Sequence, residues 1–161
     1  MKPYADTNFF TALFCQGPHE EASQRLLALA SERGAAPYPV TMICRLELIN
    51  AFQQAVFFTK SGVPGMNVSR EHALAAEAMF FEQLALGTRW RQAVVSERLL
   101  ERQFQDLSDR HTAKEGFRTY DILHVSSALV LGCNAFWSFD AKAKKLAQIE
   151  GLAVNPPVLK E

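Results

Sequence analysis

Short extended runs alternate with helix-patterned segments along the whole chain, and this alternation limits the available folds more than any other feature. The extended runs are "PYAD" from residue 3, "PYPVTM" from 37, "RWRQAVV" from 89, "NAFWSF" from 134 and "LAV" from 152. Between them lie "HEEASQRLLALASERG", with Leu26, Leu27 and Ala30 at helical spacing and Gly34 as a stop, and a helix from about Ile43 to Phe58. Further on, Ser69 can cap "REHALAAEAMFFEQLAL", and Ser96 can cap a charged helix that runs to about His111 and breaks at "TAKEGF". "TYDILHVSSALVLG" reads as a nearly all-apolar central helix and "AKAKKLAQIEG" as a short surface helix. Strand and helix in strict alternation predict an α/β fold, with helices on both faces of a mostly parallel sheet of four or five strands.

At 161 residues, 48% of them hydrophobic, the chain can bury a core without disulfides or a structural metal, and one domain is expected over residues 1–161. Lys plus Arg and Asp plus Glu both number 17, so nothing global marks a nucleic-acid or membrane binder, and a polyanion would need a local patch. Cys15, Cys44 and Cys133 lie in apolar surroundings without CxxC spacing, which predicts buried free thiols, a reducing compartment and a cytoplasmic location. No small-residue cleavage pattern follows "FFTALFC", so export is not expected. Residues 122–139 carry no Asp, Glu, Lys or Arg, but His124, Ser126, Ser127 and Asn134 favour a buried helix turning into a buried strand over a membrane span.

In a parallel sheet the carboxyl ends of the strands share one edge, and ligands bind in the crevice outside it. Asp6 ends the first strand and Asp140 ends the fourth, in "FWSFD". Glu47 lies one turn into the helix after the second strand, and Asp121 starts the central helix, where the helix dipole tolerates an anion. Each has an ordinary explanation as a cap, a first-turn acid or a partner of Arg45. Glu47, however, sits among Leu46, Leu48 and Ile49, and a carboxylate so placed needs a partner, of which a divalent cation is one.

"YADTNFF", "LELINAF", "RTYDILHVSSAL" and "FWSFDAKAKKLAQIEGL", in that order and at these spacings, resemble the PIN-domain family, and within it the VapC-type toxins of bacterial toxin–antitoxin pairs. The resemblance spans nearly the whole chain. It implies a PIN-like three-layer α/β/α sandwich, and it makes Asp6, Glu47, Asp121 and Asp140 the catalytic, metal-binding acids. Ser138 is then the small hydroxyl residue two positions before the last acid, with Thr7 and Asn8 as supporting groups. Four neighbouring carboxylates repel by about 1 to 4 kcal/mol per close pair, and Mg²⁺ or Mn²⁺ with oxygen ligands relieves that cost.

The activity so implied is hydrolysis of RNA phosphodiester bonds, with Asp6, Asp121 and Asp140 nearest the ion and Glu47 positioning water or serving a second ion. His124 reads as an interior histidine bonded to the scaffold in preference to a general acid. Lys142, Lys144 and Lys145 are the best-placed basic residues for phosphate, whereas Arg89, Arg91, Arg98, Arg102, Arg110, Lys114 and Arg118 are interleaved with acids and read as a solvated surface. The resemblance also implies a small antitoxin partner and a homodimer. The alternatives are a non-catalytic RNA-binding or scaffold PIN domain and a housekeeping RNA-processing nuclease.

Overall fold

The computed structural model describes residues 1–156 and shows the expected alternation. The elements are β1 (Pro3–Ala5), α1 (Thr7–Phe14), α2 (Glu20–Glu32), β2 (Tyr38–Val40), α3 (Met42–Lys60), α4 (Arg70–Leu86), β3 (Trp90–Gln92), α5 (Glu97–Leu107), a π turn (Ser108–Thr112), α6 (Ala113–Glu115), α7 (Thr119–Val130), β4 (Ala135–Trp137), α8 (Ala141–Ile149) and β5 (Ala153–Val154). Every strand pairing is parallel, with Tyr4 opposite Phe136, Pro39 opposite Arg91 and Phe136 opposite Val154.

The strands form two ladders, β1-β4-β5 and β2-β3, where one continuous sheet was expected. β1 still lies beside β2, joined by a bond from the Ala36 amide to the Met1 carbonyl (3.0 Å). Pro3 in β1 and Pro39 in β2 each lack the N–H a ladder requires, and the sheet divides between these two strands.

Alternation along each strand sends side chains to two separate cores. Ala5, Val40, Trp90 and Trp137 pack with α1 to α4 on one face; Tyr4, Phe136 and Leu152 pack with α5, α7 and α8 on the other. On the first face, Phe10, Phe80 and Trp90 interlock, with ring centroids 5.3 Å (Phe10–Phe80) and 5.7 Å (Phe10–Trp90) apart at steep angles, the edge-to-face arrangement aromatic quadrupoles favour. On the second, Tyr4 and Phe136 stack at 5.7 Å across β1 and β4. These layers are the α/β/α arrangement expected. Among the described residues no helix is long and apolar enough to cross a membrane.

Helix starts follow the side-chain chemistry. Asp6, Thr41 and Ser69 accept bonds from the amides of Phe9 (3.2 Å), Cys44 (3.2 Å) and His72 (3.1 Å), which satisfies otherwise orphaned helix donors. α4 stops at Gly87, whose φ of 67° is left-handed. One expectation near α5 is corrected. Ser96 occupies the cap position without a side-chain bond, and the helical run passes His111 through the π turn and α6 before it ends at Gly116, at φ 65°, inside the expected "TAKEGF" breaker. The reason is tertiary: Arg110 (2.8 Å) and His111 (2.7 Å) both reach Glu150 at the end of α8 and hold the widened turn in place. Cys15 and Cys44 are buried free thiols as expected, while Cys133 is only partly covered.

Candidate active site: an acidic pocket at the strand ends

β1 and β4 are hydrogen-bonded neighbours, so the residues that follow them emerge side by side, and the Asp6 amide donates to the Trp137 carbonyl (3.1 Å). Asp6 and Asp140, the caps of α1 and α8, thereby reach one edge of the sheet. Asp121, in the first turn of α7, and Glu47, in the second turn of α3, reach it from two further elements. All four acids line one pocket of about 450 Å³. Three of them stand at helix N-termini, whose partial positive charge eases the gathering of like charges.

Each acid has partners. Asp6 is 4% exposed; its Oδ1 takes the Phe9 amide and its Oδ2 takes the Asn8 side-chain amide (2.9 Å). Asn8 also accepts the Phe139 amide (2.7 Å) and touches Ser138 Oγ (3.2 Å), so it links Asp6 to the end of β4. Ser138 Oγ in turn accepts the Asp140 amide (2.8 Å). Thr7 and Asn8 line the pocket, whereas Ser138 lies behind it as a buried brace.

Thr7 Oγ1 and His124 Nε2 (2.6 Å) both meet Glu47 Oε2, leaving Oε1 without a protein hydrogen bond among the described residues. The other ring nitrogen of His124 meets the Tyr4 hydroxyl (2.8 Å), so this histidine is bonded into the scaffold at both ends. Arg45, the ordinary alternative partner for Glu47, makes no such contact.

Arg118 carries the largest departure from expectation. Grouped by sequence with a solvated surface, it lines the pocket and forks across two acids: Nη2 to Asp121 Oδ1 (3.0 Å), Nε to Asp121 Oδ2 (3.1 Å), and Nη2 again to Asp140 Oδ2 (2.6 Å). The "RTYD" spacing was the available signal, since it places Arg118 at the cap and Asp121 three residues on, facing each other across the first turn. Lys142, Lys144 and Lys145 lie outside the residues that line the pocket. Lys142 is held by the Gly116 carbonyl (2.9 Å) and Lys145 by Glu115 (2.5 Å), because α8 turns these side chains toward α6.

The electrostatics separate the acids. Burial pushes the Asp6 carboxyl up to about 6, against the pull of His124, Ser138 and the Phe9 amide, and the negative charge of Glu47 adds to the rise. Burial acts on Glu47 and Asp140 as well, but it is outweighed. His124 and Thr7 hold Glu47 below the usual carboxylate range; the α8 amides and Arg118 do the same for Asp140. Among the described residues the ion pairs of the pocket fall on Asp121, Asp140 and Glu47, and none falls on Asp6.

As a donor set these oxygens suit a hard divalent cation. As they are placed, no three His, Cys, Asp or Glu side chains among the described residues are close enough together to hold a metal ion. One guanidinium nitrogen, Arg118 Nη2, bonds both Asp121 and Asp140.

Fold and pocket together define an α/β/α protein with four carboxylates gathered at the carboxyl ends of parallel strands. That is the fold of the VapC toxins. Mycobacterium tuberculosis VapC20, described as a sarcin–ricin loop cleaving toxin, aligns with a TM-score of 0.63 at 19% identity, covering 96% of this chain and 100% of that one. VapBC2 from Rickettsia felis, bound to a DNA fragment from its promoter, aligns at 0.64 and 14%, covering 96% and 98%. VapBC-1 from nontypeable Haemophilus influenzae aligns at 0.61 and 15%, covering 96% and 97%. The sequence matches no family model and no curated protein. At these identities the likeness is one of fold.

Proposed function

We propose that this protein is an endoribonuclease that hydrolyses RNA phosphodiester bonds with Mg²⁺ or Mn²⁺, and that it is the toxin of a toxin–antitoxin pair. The observation that carries the reading is the convergence of Asp6, Glu47, Asp121 and Asp140 from four separate elements on one pocket. The likeness in fold to a loop-cleaving toxin and to VapBC complexes supports it. The same likeness supports a small antitoxin as partner, and the family resemblance adds a homodimer.

Asp6, Asp121 and Asp140 would hold the cation, which when bound supplies charge for the phosphate and lowers the pKa of water. Glu47 is kept ionised by His124 and Thr7, with Oε1 free to accept a proton from the attacking water. His124 fixes the orientation of Glu47, and Tyr4 fixes His124. Asn8 and Ser138 keep the ends of β1 and β4 in register, so Asp6 and Asp140 face the same space. Addition of water breaks one P–O bond and yields a phosphomonoester and a hydroxyl end.

Incubating purified protein with total RNA, with Mn²⁺ or with EDTA, and mapping the fragment ends tests this reading. Cleavage that needs the metal and disappears in Asp6→Asn supports it; cleavage that survives both changes refutes it. One observation favours a non-catalytic RNA-binding domain, namely the engagement of Asp121 and Asp140 by Arg118. RNA binding with neither metal binding nor cleavage would establish that alternative.

A further inference from the structure

Arg118 is anchored at one end and free at the other. Its backbone N–H donates to Asp121 Oδ2 (2.9 Å), a bond that does not depend on the side chain. Its side chain is 63% exposed, against 5% for Asp121, so the guanidinium reaches down from the solvent onto a buried carboxylate. The charged groups around it are Asp121 and Asp140 in contact, Glu47 across the pocket, and Lys142, whose Nζ is held by the Gly116 carbonyl. Nη2 bonds both Asp121 Oδ1 and Asp140 Oδ2, the carboxylates that would hold a shared cation.

We propose that Arg118 is the resident counter-cation of the acidic pocket, a tethered side chain that a divalent ion must displace, so that it sets the metal affinity of the site. This inference rests on the metal-dependent reading above. A small dication binds carboxylate oxygens at roughly 2.1 Å, closer than Nη2 approaches either acid, so the ion and the guanidinium exclude one another. Displacement is feasible because the guanidinium is itself exposed and rehydrates on release, while the incoming ion takes over the charge of buried Asp121. The cap survives it, since the Arg118 amide continues to hold Asp121. The competition also accounts for a donor set that suits a dication while no three ligating side chains stand close enough to hold one. In the metal-free protein the arginine neutralises the acids; in the loaded protein it is released at the pocket mouth.

The test is calorimetric titration of Mn²⁺ into EDTA-stripped wild type, Arg118→Ala and Arg118→Lys, with thermal melts of each. Arg118→Ala is expected to bind Mn²⁺ about fivefold more tightly and to gain more in melting temperature on adding the ion. Arg118→Lys, which keeps the charge without the fork, should fall between the two. In a ¹⁵N spectrum the wild-type Arg118 Nε–H signal should shift when diamagnetic Mg²⁺ is added. Folded Arg118→Ala with equal or weaker Mn²⁺ affinity overturns the proposal and leaves the metal site standing. Absence of binding by all three proteins overturns the metal site and the role of Arg118 together.

Discussion

Among the described residues Asp6 is the pocket acid without an ion pair, and Asp6→Asn measures the cost of burying its charge. Its carboxyl moves from an ordinary 3.8 to about 6 on folding, chiefly through burial. Below about pH 4 the group is protonated in both folded and unfolded chains and has no effect on stability. Between about pH 4 and pH 6 the unfolded chain ionises first, so stability falls; above that range the loss is complete, at about 3 kcal/mol for a shift of roughly two units. Asparagine does not titrate, so its advantage over wild type should grow by that amount across the window, or ~6 to 12 °C in melting temperature for a domain this size. A fixed penalty opposes it: Asn8 loses its bond to Oδ2, about 1 kcal/mol, but that loss shifts the curves without changing their divergence. Glu47 and Asp140, held below their ordinary range, act in the opposite direction at lower pH and largely cancel in the comparison. The assay is urea denaturation of both proteins in EDTA from pH 4 to pH 8. Parallel curves would show that Asp6 is as hydrated folded as unfolded, and the buried, uncompensated acid would be wrong. Saturating Mn²⁺ should reverse the order, because only wild type then gains the ion.

Glu47→Ala strands His124 Nε2 and Thr7 Oγ1, and should cost about 1 to 3 kcal/mol by denaturant midpoint, whereas Glu47→Gln keeps an acceptor and should cost less; both should abolish RNA cleavage. Asn8→Ala removes the acceptor of the Phe139 amide and the donor to Asp6, so stability should fall by about 1 to 3 kcal/mol. Its cleavage rate at saturating metal should fall as well, since the ends of β1 and β4 are no longer tied. Phe80→Ala, at the centre of the aromatic core, should cost about 3 to 5 kcal/mol in chemical denaturation while leaving Mn²⁺ affinity of the folded protein unchanged, because none of its ring contacts touches the pocket.

What sequence alone determined about this protein is what local chemistry governs. Prolines, glycines and capping residues mark where each element begins and ends, and hydrophobic spacing assigns its type; Ser69 caps α4 and Gly34, at φ 62°, follows the end of α2, both as local chemistry predicts. Asp6 and Asp140 were legible because parallel pairing brings strand ends to one edge, a rule that needs no coordinates; Glu47 and Asp121 were joined to them by their places near helix starts and by the family resemblance. Tertiary structure alone decided how those acids are held. Arg118 meets Asp140 across 22 positions and Glu47 meets His124 across 77, and neither pairing leaves a periodic trace in the chain. The π turn braced by Glu150 and the parting of the sheet between β1 and β2 belong to the same class. Backbone propensity acts over a few neighbours, whereas a charge is paired by whatever the folded chain sets beside it.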